Sequence, residues 1–249
     1  MSSTVVYEHN IYYETLGKAD RPSLLLMHGW MEVGRDLAAV GNALAGAGYR
    51  VILPDLPGYG RSVPPQRTYP PDFYQRDAAI MAGLLDQLGL TSAHVMGFSD
   101  GGEVALLIGV TRPDLCRTVI AWGATGWYSP ALGAWVRDQM PLQVITPSHR
   151  ARHPGQPVER WQAEWKRAFG EIVAHGGDLS RSRAAALRAP LLLMVGDQDA
   201  LNPVEEARQF GEQSGGQTTF QVFPQTGHAI HHERPDAFIA AVTTFLKQS

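Results

Sequence analysis

Short apolar runs alternate along this chain with segments in which apolar residues recur at helical spacing. The runs "SLLLMHG" and "RVILPD" are continuously apolar and end at turn residues, a pattern typical of strands buried on both faces. Residues 36–48, between these runs, predict an Ala-rich helix that ends at glycine. A second helix is predicted in "FYQRDAAIMAGLLDQLG", where Ile80, Leu84 and Leu88 share one stripe and Gly89 ends it.

The same alternation extends over most of the chain. "VVYEHNIYYETLG" alternates like a hairpin. Further strands are predicted at "AHVMGF", "RTVIAWG", "APLLLMVG" and "TTFQVFP", with helices starting near Gly101, spanning about 204–213 and closing the chain at "RPDAFIAAVTTFLKQ". Repeated strand–helix units predict an α/β fold with a mostly parallel, doubly wound sheet that carries helices on both faces.

Residues 124–187 interrupt this alternation. They hold four of the six tryptophans (Trp127, Trp135, Trp161 and Trp165), several prolines and helix-like pieces. We therefore predict a helical cap at 124–187, inserted into a core formed by 1–123 and 188–249. Some of the cap tryptophans are expected to line an apolar pocket, because ligand sites are mostly apolar with few polar anchors.

Composition narrows the class of protein. The 249 residues are 44% hydrophobic and 18% charged, which fits one large globular domain or a domain with an insertion. A net charge of -3 gives no sign of a nucleic-acid partner. No segment has the length of a membrane span or the pattern of a signal peptide, so we expect a soluble cytoplasmic protein of open oligomeric state. The single cysteine, Cys116, excludes an internal disulfide and a cysteine-rich metal site.

Three polar clusters follow predicted strands: "GFSDGG", "GDQDALNP" and "QTGHAIHHE". In open α/β sheets the ligand site lies beyond the carboxyl ends of the strands, so these clusters are expected to meet. A serine hydroxyl is a poor nucleophile and needs a base that is itself oriented by a carboxylate. Ser99, Asp199 and His228 occur in the chain order expected for such a triad. From the residues alone, Asp197 competes with Asp199.

Other histidines near His228 offer alternatives to it as the catalytic base. His231 and His232 lie close to His228, and with Glu233 they raise the question of a metal site, but the spacing fits no common zinc pattern and we predict none. Both are expected at the surface or facing the cap. His28 is expected to shape its loop by hydrogen bonding. The other histidines are expected at the surface: His9, His94, His149, His153 and His175.

The segments "HGW", "DLPGYGRS", "GFSDGG", "VGDQDALNP" and "GHAIHHERPDAF" make the chain resemble an α/β-hydrolase over almost all its length. "YPPDFYQRDA", "VIAWGA" and the Trp-containing cap further resemble the biphenyl-hydrolase-like, or valacyclovir hydrolase, group, whose members cleave esters of α-amino acids. The resemblance implies a serine hydrolase acting through an acyl-enzyme on a small-molecule ester, without cofactor. Its spacing selects Asp199 as the acid and His228 as the base. Asp55 matches a structural turn residue of the superfamily.

The resemblance also implies how the site is completed. The backbone N–H groups of Trp30 and Asp100 correspond to the oxyanion-hole donors, which can be of any side-chain type. The side chain of Asp100 corresponds to the group that binds the substrate ammonium. On physical grounds an anion here should slow attack on a neutral ester unless the substrate brings a cation, whereas the alternative is a carboxylate favoured by the helix dipole. The same triad acting on simple carboxylesters, (thio)lactones or a C–C bond of a vinylogous diketone is a second hypothesis. A non-catalytic ligand-binding module is a remote third.

Overall fold

The structure of the protein, a computed structural model, describes residues 2–248, so positions 1 and 249 of the predicted core lie outside it. The described strands are β1 (Ser2–Val6), β2 (His9–Leu16), β3 (Ser23–Met27), β4 (Arg50–Pro54), β5 (Ala93–Phe98), β6 (Cys116–Trp122), β7 (Leu191–Gly196) and β8 (Thr218–Phe223). They form one eight-stranded sheet in the order β1-β2-β4-β3-β5-β6-β7-β8. The β1–β2 hairpin and the β2–β4 pair are antiparallel, and every pair from β4 to β8 is parallel. The predicted mostly parallel sheet is confirmed.

Helices connect the parallel strands. They are α1 (Ala38–Gly46), α2 (Phe73–Gln87), α3 (Asp100–Thr111), α4 (Pro130–Asp138), α5 (Pro147–Arg152), α6 (Val158–Ala174), α7 (Val204–Gln213), α8 (Ile230–Glu233) and α9 (Pro235–Lys247). The predicted helix at 204–213 is confirmed. The predicted helix at 36–48 begins with a short 3-10 turn, Gly34–Leu37, before α1.

The central strands β3, β5 and β7 are buried on both faces, as their apolar sequences predict. In β3, Leu25 and Met27 belong to a core that also contains the inner faces of α2 and α3. Leu24 and Leu26 point to the opposite core, which contains residues of α1 and α9. A continuous apolar run is therefore required, because side chains of one strand alternate between two dry layers.

Helices α4, α5 and α6 lie between β6 and β7, within the segment where the cap is predicted. The two connections to the core run side by side, because Trp127 and Asp178 form a β-bridge and Tyr128 N–H donates to Gly177 C=O. Gly133 of α4 packs against Val173 of α6. The bounds of the cap at 124 and 187 stay predictions.

Three histidines depart from the sequence prediction. His94 and His153 are buried, with 2% and 1% of their surface exposed, so their predicted surface position is wrong. His231, predicted at the surface or facing the cap, is 5% exposed and packs against the core residues Trp122 and Phe238, so that prediction is wrong too. Each has a polar partner that makes burial possible; the Nδ1 atom of His94, for example, lies 2.8 Å from Thr118 Oγ1 on the neighbouring strand. Over residues 2–248, no helix has the length and hydrophobicity needed to cross a membrane.

Candidate active site

Ser99 lies at the sharp turn between β5 and α3. Its backbone has φ 54° and ψ -119°, a left-handed conformation that a residue with a side chain adopts at a cost of about 1–3 kcal/mol. The turn is possible because α3 starts close to the strands. A Cβ atom on Gly101 would lie 2.5 Å from His28 O, and one on Gly97 would collide with the carbonyl of Gly101. Both glycines are therefore required for close packing, and Ser99 is held at the carboxyl end of the sheet.

The three residues of the predicted triad meet at this point. His228 Nδ1 lies 2.7 Å from Asp199 Oδ2, and its Nε2 lies 2.9 Å from Ser99 Oγ. With Nδ1–H donating to the carboxylate, Nε2 is left to accept the Ser99 hydroxyl proton. Burial by itself would raise the pKa of Asp199, but the hydrogen bonds from His228 and Asn202 outweigh it and hold that pKa below its ordinary value.

The competing residues lie elsewhere. Asp197 is exposed and accepts a hydrogen bond from Thr226 N–H, so it does not contact the imidazole of His228. His231 is buried, and its Nδ1 accepts a hydrogen bond of 3.0 Å from Trp122 Nε1. The exposed position of His232 agrees with the sequence prediction.

Asn202 is a member of the site that sequence reasoning missed. Its Nδ2 donates to Asp199 Oδ2 at 3.0 Å and lies 3.2 Å from His228 Nδ1. The other carboxylate oxygen of Asp199 accepts the backbone N–H groups of Leu201 and Asn202. An aspartate bonded to N–H groups two and three residues later is a local turn, and this signal was available in "DALN".

The backbone N–H groups of Trp30 and Asp100 are the predicted oxyanion-hole donors, a role that stays a prediction. Asp100 is the first residue of α3, where N–H groups have no partner inside the helix. For the described part of the chain, neither N–H donates to a protein acceptor. His28 shapes the loop before Trp30 as predicted, because its Nδ1 lies 2.7 Å from Gly29 O and its Nε2 accepts from Leu56 N–H at 2.9 Å. Burial lowers the pKa of His28 to about 3, so the imidazole stays neutral.

Asp100 also points its side chain into the site. The residue is 4% exposed, and its Oδ1 accepts a hydrogen bond of 2.7 Å from the hydroxyl of Tyr74. No hydrogen bond of ordinary length reaches its Oδ2 or the indole nitrogen of Trp165, although the Trp165 N–H lies close enough to Asp100 to lower the pKa of that carboxyl. Burial raises the pKa of Asp100, and the Tyr74 hydrogen bond counteracts part of that change. The Asp100 side chain is therefore not a solvent-exposed carboxylate that is stabilised only by its place at the start of a helix.

Two cavities meet at Ser99 and Asp100. The smaller, of about 20 Å³, is walled by residues of the cap and of three core segments that follow β5, β6 and β7: Ser99, Asp100, Gly123, Tyr128, Trp165, Phe169, Leu201 and Asn202. The larger, of about 210 Å³, includes His228 and Trp30 together with Met140 and Gln143 of the cap. Trp165 lines both, so one of the cap tryptophans has the predicted place. Trp161 is fully buried instead, packed against Tyr59.

Fold and site geometry define an α/β enzyme scaffold with a nucleophile turn at the end of its fifth strand. The sequence pattern of the alpha/beta hydrolase family matches residues 24–241, so the chain belongs to the alpha/beta hydrolase family. Membership of this family and the similarity to known hydrolases support hydrolase activity for this protein.

The relatives cover nearly the whole chain. It is 26% identical to the serine hydrolase BPHL of Mus musculus, over 96% of this chain and 83% of that protein. It is 27% identical to the pimeloyl-[acyl-carrier protein] methyl ester esterase of Chromobacterium violaceum, over 96% of this chain and 98% of that protein. A crystal structure of a meta-cleavage product hydrolase from Pseudomonas fluorescens has the same fold, with a TM-score of 0.77, 21% identity and coverage of 100% and 98% of the two chains.

Proposed function

We propose that this protein is a serine hydrolase that cleaves carboxylic esters of α-amino acids through an acyl-enzyme. The observation that carries the proposal is the Asp100 carboxylate, which is buried beside the nucleophile and has no close hydrogen-bond partner at Oδ2, where the Trp165 indole is the nearest donor. A buried carboxylate without a second partner is costly, and it would be stabilised by a cation that arrives with the substrate. An α-ammonium lies two bonds from the ester carbonyl carbon, close enough for a carboxylate next to the nucleophile.

The triad geometry supports a specific sequence of steps. Ser99 Oγ attacks the acyl carbon as its proton passes to His228 Nε2, and the carbonyl π electrons move onto the oxygen. The N–H groups of Trp30 and Asp100 would stabilise this oxyanion. Collapse expels the alcohol, which takes the proton from His228. Water, deprotonated by the same imidazole, then hydrolyses the acyl-enzyme and releases the amino acid.

The charge of Asp100 shapes the choice of substrate. Next to a developing oxyanion, its negative charge opposes the reaction of a neutral ester. A substrate ammonium would cancel that charge and supply the partner that Oδ2 lacks. The cavity of about 20 Å³ at this carboxylate has room for a group no larger than an ammonium or a water molecule. The wider cavity beside His228 would take the rest of the ester.

A second candidate is a carboxylester hydrolase whose substrates carry no amine. The likeness to the pimeloyl-[acyl-carrier protein] methyl ester esterase supports it. It uses the same triad, and under it Asp100 would be a structural residue. Lactones, thiolactones and a C–C bond of a vinylogous diketone belong to the same alternative. A binding module without catalysis is the third reading, and it is tested by reaction of Ser99 with a fluorophosphonate.

Asp100→Asn separates the first two candidates, because it keeps an oxygen for Tyr74 and removes the charge. We compare kcat/KM on alanine ethyl ester and N-acetylalanine ethyl ester. A buried charge pair is worth about 2–5 kcal/mol, so the free-amine ester should lose roughly 30-fold to several-thousand-fold. The N-acetyl ester should keep its kcat/KM or gain, because the charge that opposes reaction of a neutral ester is removed. Equal losses on both esters would overturn the ammonium proposal, and failure of a fluorophosphonate to label wild-type Ser99 would overturn the hydrolase mechanism itself.

A further inference from the structure

His153 is a buried histidine of the cap that contacts the core on two sides. It follows α5, and only 1% of its surface is exposed. Its Nδ1 accepts a hydrogen bond of 2.9 Å from Gly60 N–H. Its Nε2 lies 3.1 Å from the carbonyl oxygen of Met31. These contacts fix one neutral tautomer, in which Nδ1 carries the lone pair and Nε2–H donates to Met31.

Met31 adjoins the loop that presents the Trp30 N–H group. Its φ of 59° is left-handed, which is uncommon for a residue with a side chain and needs support from its surroundings. Several hydrogen bonds hold the preceding residues: Gly29 N–H donates to Glu32 Oε2 at 2.9 Å, and Trp30 Nε1 donates to Tyr69 at 3.1 Å. The hydrogen bond from His153 holds the Met31 carbonyl, which follows the Trp30 N–H by one residue.

We propose that His153 is a positioning residue by which the cap orients the Trp30 N–H group for the oxyanion. The Met31 carbonyl shares a peptide group with Glu32 N–H, which donates to Gly29 O at 3.3 Å, and Gly29 O belongs to the same peptide group as the Trp30 N–H. An oxyanion hole works because its donors are fixed before the reaction, so a small rotation of the Gly29–Trp30 peptide would weaken it. The inference rests on the proposed function in one respect, because it takes the Trp30 N–H group as a donor to the oxyanion. It is independent of the amine, since every ester that reacts at Ser99 develops the same oxyanion.

A purely structural role for His153 is the alternative. The imidazole packs against the rings of Tyr59 and Trp161, at centroid distances of 5.7 and 4.8 Å. Removing it would also loosen the attachment of the cap. The experiment must therefore break the Met31 contact and the Gly60 contact separately and must measure chemistry apart from stability.

His153→Asn and His153→Gln make this separation. An asparagine oxygen can take the place of Nδ1 and accept from Gly60, but its side chain ends too early to reach Met31. A glutamine amide reaches the place of Nε2 and can donate to the Met31 carbonyl, leaving Gly60 N–H without its acceptor. His175→Asn and His175→Gln are matched controls, because His175 is an exposed histidine of the cap.

The assay uses N-acetylalanine ethyl ester, so that no ammonium is involved, and a trifluoromethyl ketone that forms a tetrahedral adduct at Ser99. In His153→Asn we expect kcat to fall by about 10- to 100-fold with little change in KM, as for a weakened oxyanion donor. Affinity for the ketone should fall by a similar factor. His153→Gln should keep kcat within about 5-fold of wild type, and the His175 variants should match wild type.

Some outcomes would overturn the proposal. One is an equal loss of kcat in both His153 variants, and another is an unchanged kcat in His153→Asn. A third is a loss of ketone affinity that correlates with the fall in Tm across the variants, whether or not the variant keeps the hydrogen bond to Met31. If His153→Asn does not fold, His153→Ser takes its place: a lower kcat and ketone affinity than in His153→Gln at matched Tm supports the role, and an equal kcat in the two variants refutes it. Failure of the hydrolase mechanism is seen separately, in a wild-type Ser99 that no fluorophosphonate labels.

Discussion

Tyr74→Phe removes one oxygen atom beside Asp100 and leaves the ring in place. Tyr74 is fully buried, and its hydroxyl donates to Asp100 Oδ1 at 2.7 Å while lying 2.8 Å from the hydroxyl of Tyr128. Within residues 2–248, the Trp165 indole is the other side-chain donor that lowers the pKa of Asp100, and its effect is smaller than that of Tyr74. The substitution therefore takes away the group that most directly stabilises the ionised form of Asp100.

The size of the effect follows from that hydrogen bond. A hydrogen bond to a charged group contributes about 1.5–3 kcal/mol, and a tenfold change in an equilibrium is worth about 1.4 kcal/mol. Burial already raises the pKa of Asp100, and losing the Tyr74 bond raises it further. Only ionised Asp100 attracts an ammonium. The acid limb of kcat/KM on free-amine esters should therefore move to higher pH by about 1–2 pH units.

The assay is the pH profile of kcat/KM, from about pH 5 to pH 8, on alanine ethyl ester and its N-acetyl analogue. The N-acetyl ester carries no ammonium, so its profile is the reference against which the free-amine profile is compared. Tyr128→Phe, which removes a hydroxyl that contacts Tyr74 and not Asp100, should displace the free-amine limb less. The reasoning is refuted if Tyr74→Phe moves both profiles equally, or moves neither.

Two further substitutions test the cap and its attachment. Glu103 is buried and accepts the N–H groups of Thr125 and Gly126, and burial raises its pKa to about 8. Because the folded protein holds this proton more tightly than the unfolded chain, stability should fall as pH rises from about 4.5 to 8, by on the order of 4 kcal/mol. In Glu103→Gln, the free energy of unfolding measured with urea should change less with pH over this range. An unchanged dependence on pH would contradict the proposed titration of Glu103. Trp165→Leu should enlarge the cavity at Asp100 and raise the kcat/KM ratio of phenylalanine to alanine esters by about 10-fold or more, whereas a constant ratio would exclude Trp165 from the acyl pocket.

The sheet and the order of the triad were predictable because their signals are local. The central parallel strands are apolar runs, and the candidate triad residues lie shortly after the ends of β5, β7 and β8. The parallel topology then brings Ser99, Asp199 and His228 to one edge without any knowledge of side-chain contacts. The glycines at the nucleophile turn add a second local constraint, because only they allow the close packing of α3.

The partners of Asp100 could not be predicted in the same way. Tyr74 is 26 residues away on α2, and Tyr128 lies 54 residues from Tyr74, so tertiary packing alone brings the three together. The cap histidines show the same limit. His153 and His175 both lie in polar sequence, yet the first is buried between Gly60 and Met31 while the second is exposed. Burial of a polar residue depends on partners that the neighbouring sequence does not reveal.

The cap contacts the two places in the proposed site where a charge would be bound. On one side, Trp165 covers the Asp100 carboxylate, where a substrate ammonium would lie. On the other, His153 holds the Met31 carbonyl next to the Trp30 N–H group, where an oxyanion would form. The two places bind opposite charges, since the substrate ammonium needs a fixed anion and the oxyanion needs fixed hydrogen-bond donors. A cap that moved as a lid would disturb both at once, so substrate selection and oxyanion stabilisation should change together when the packing of the cap is altered.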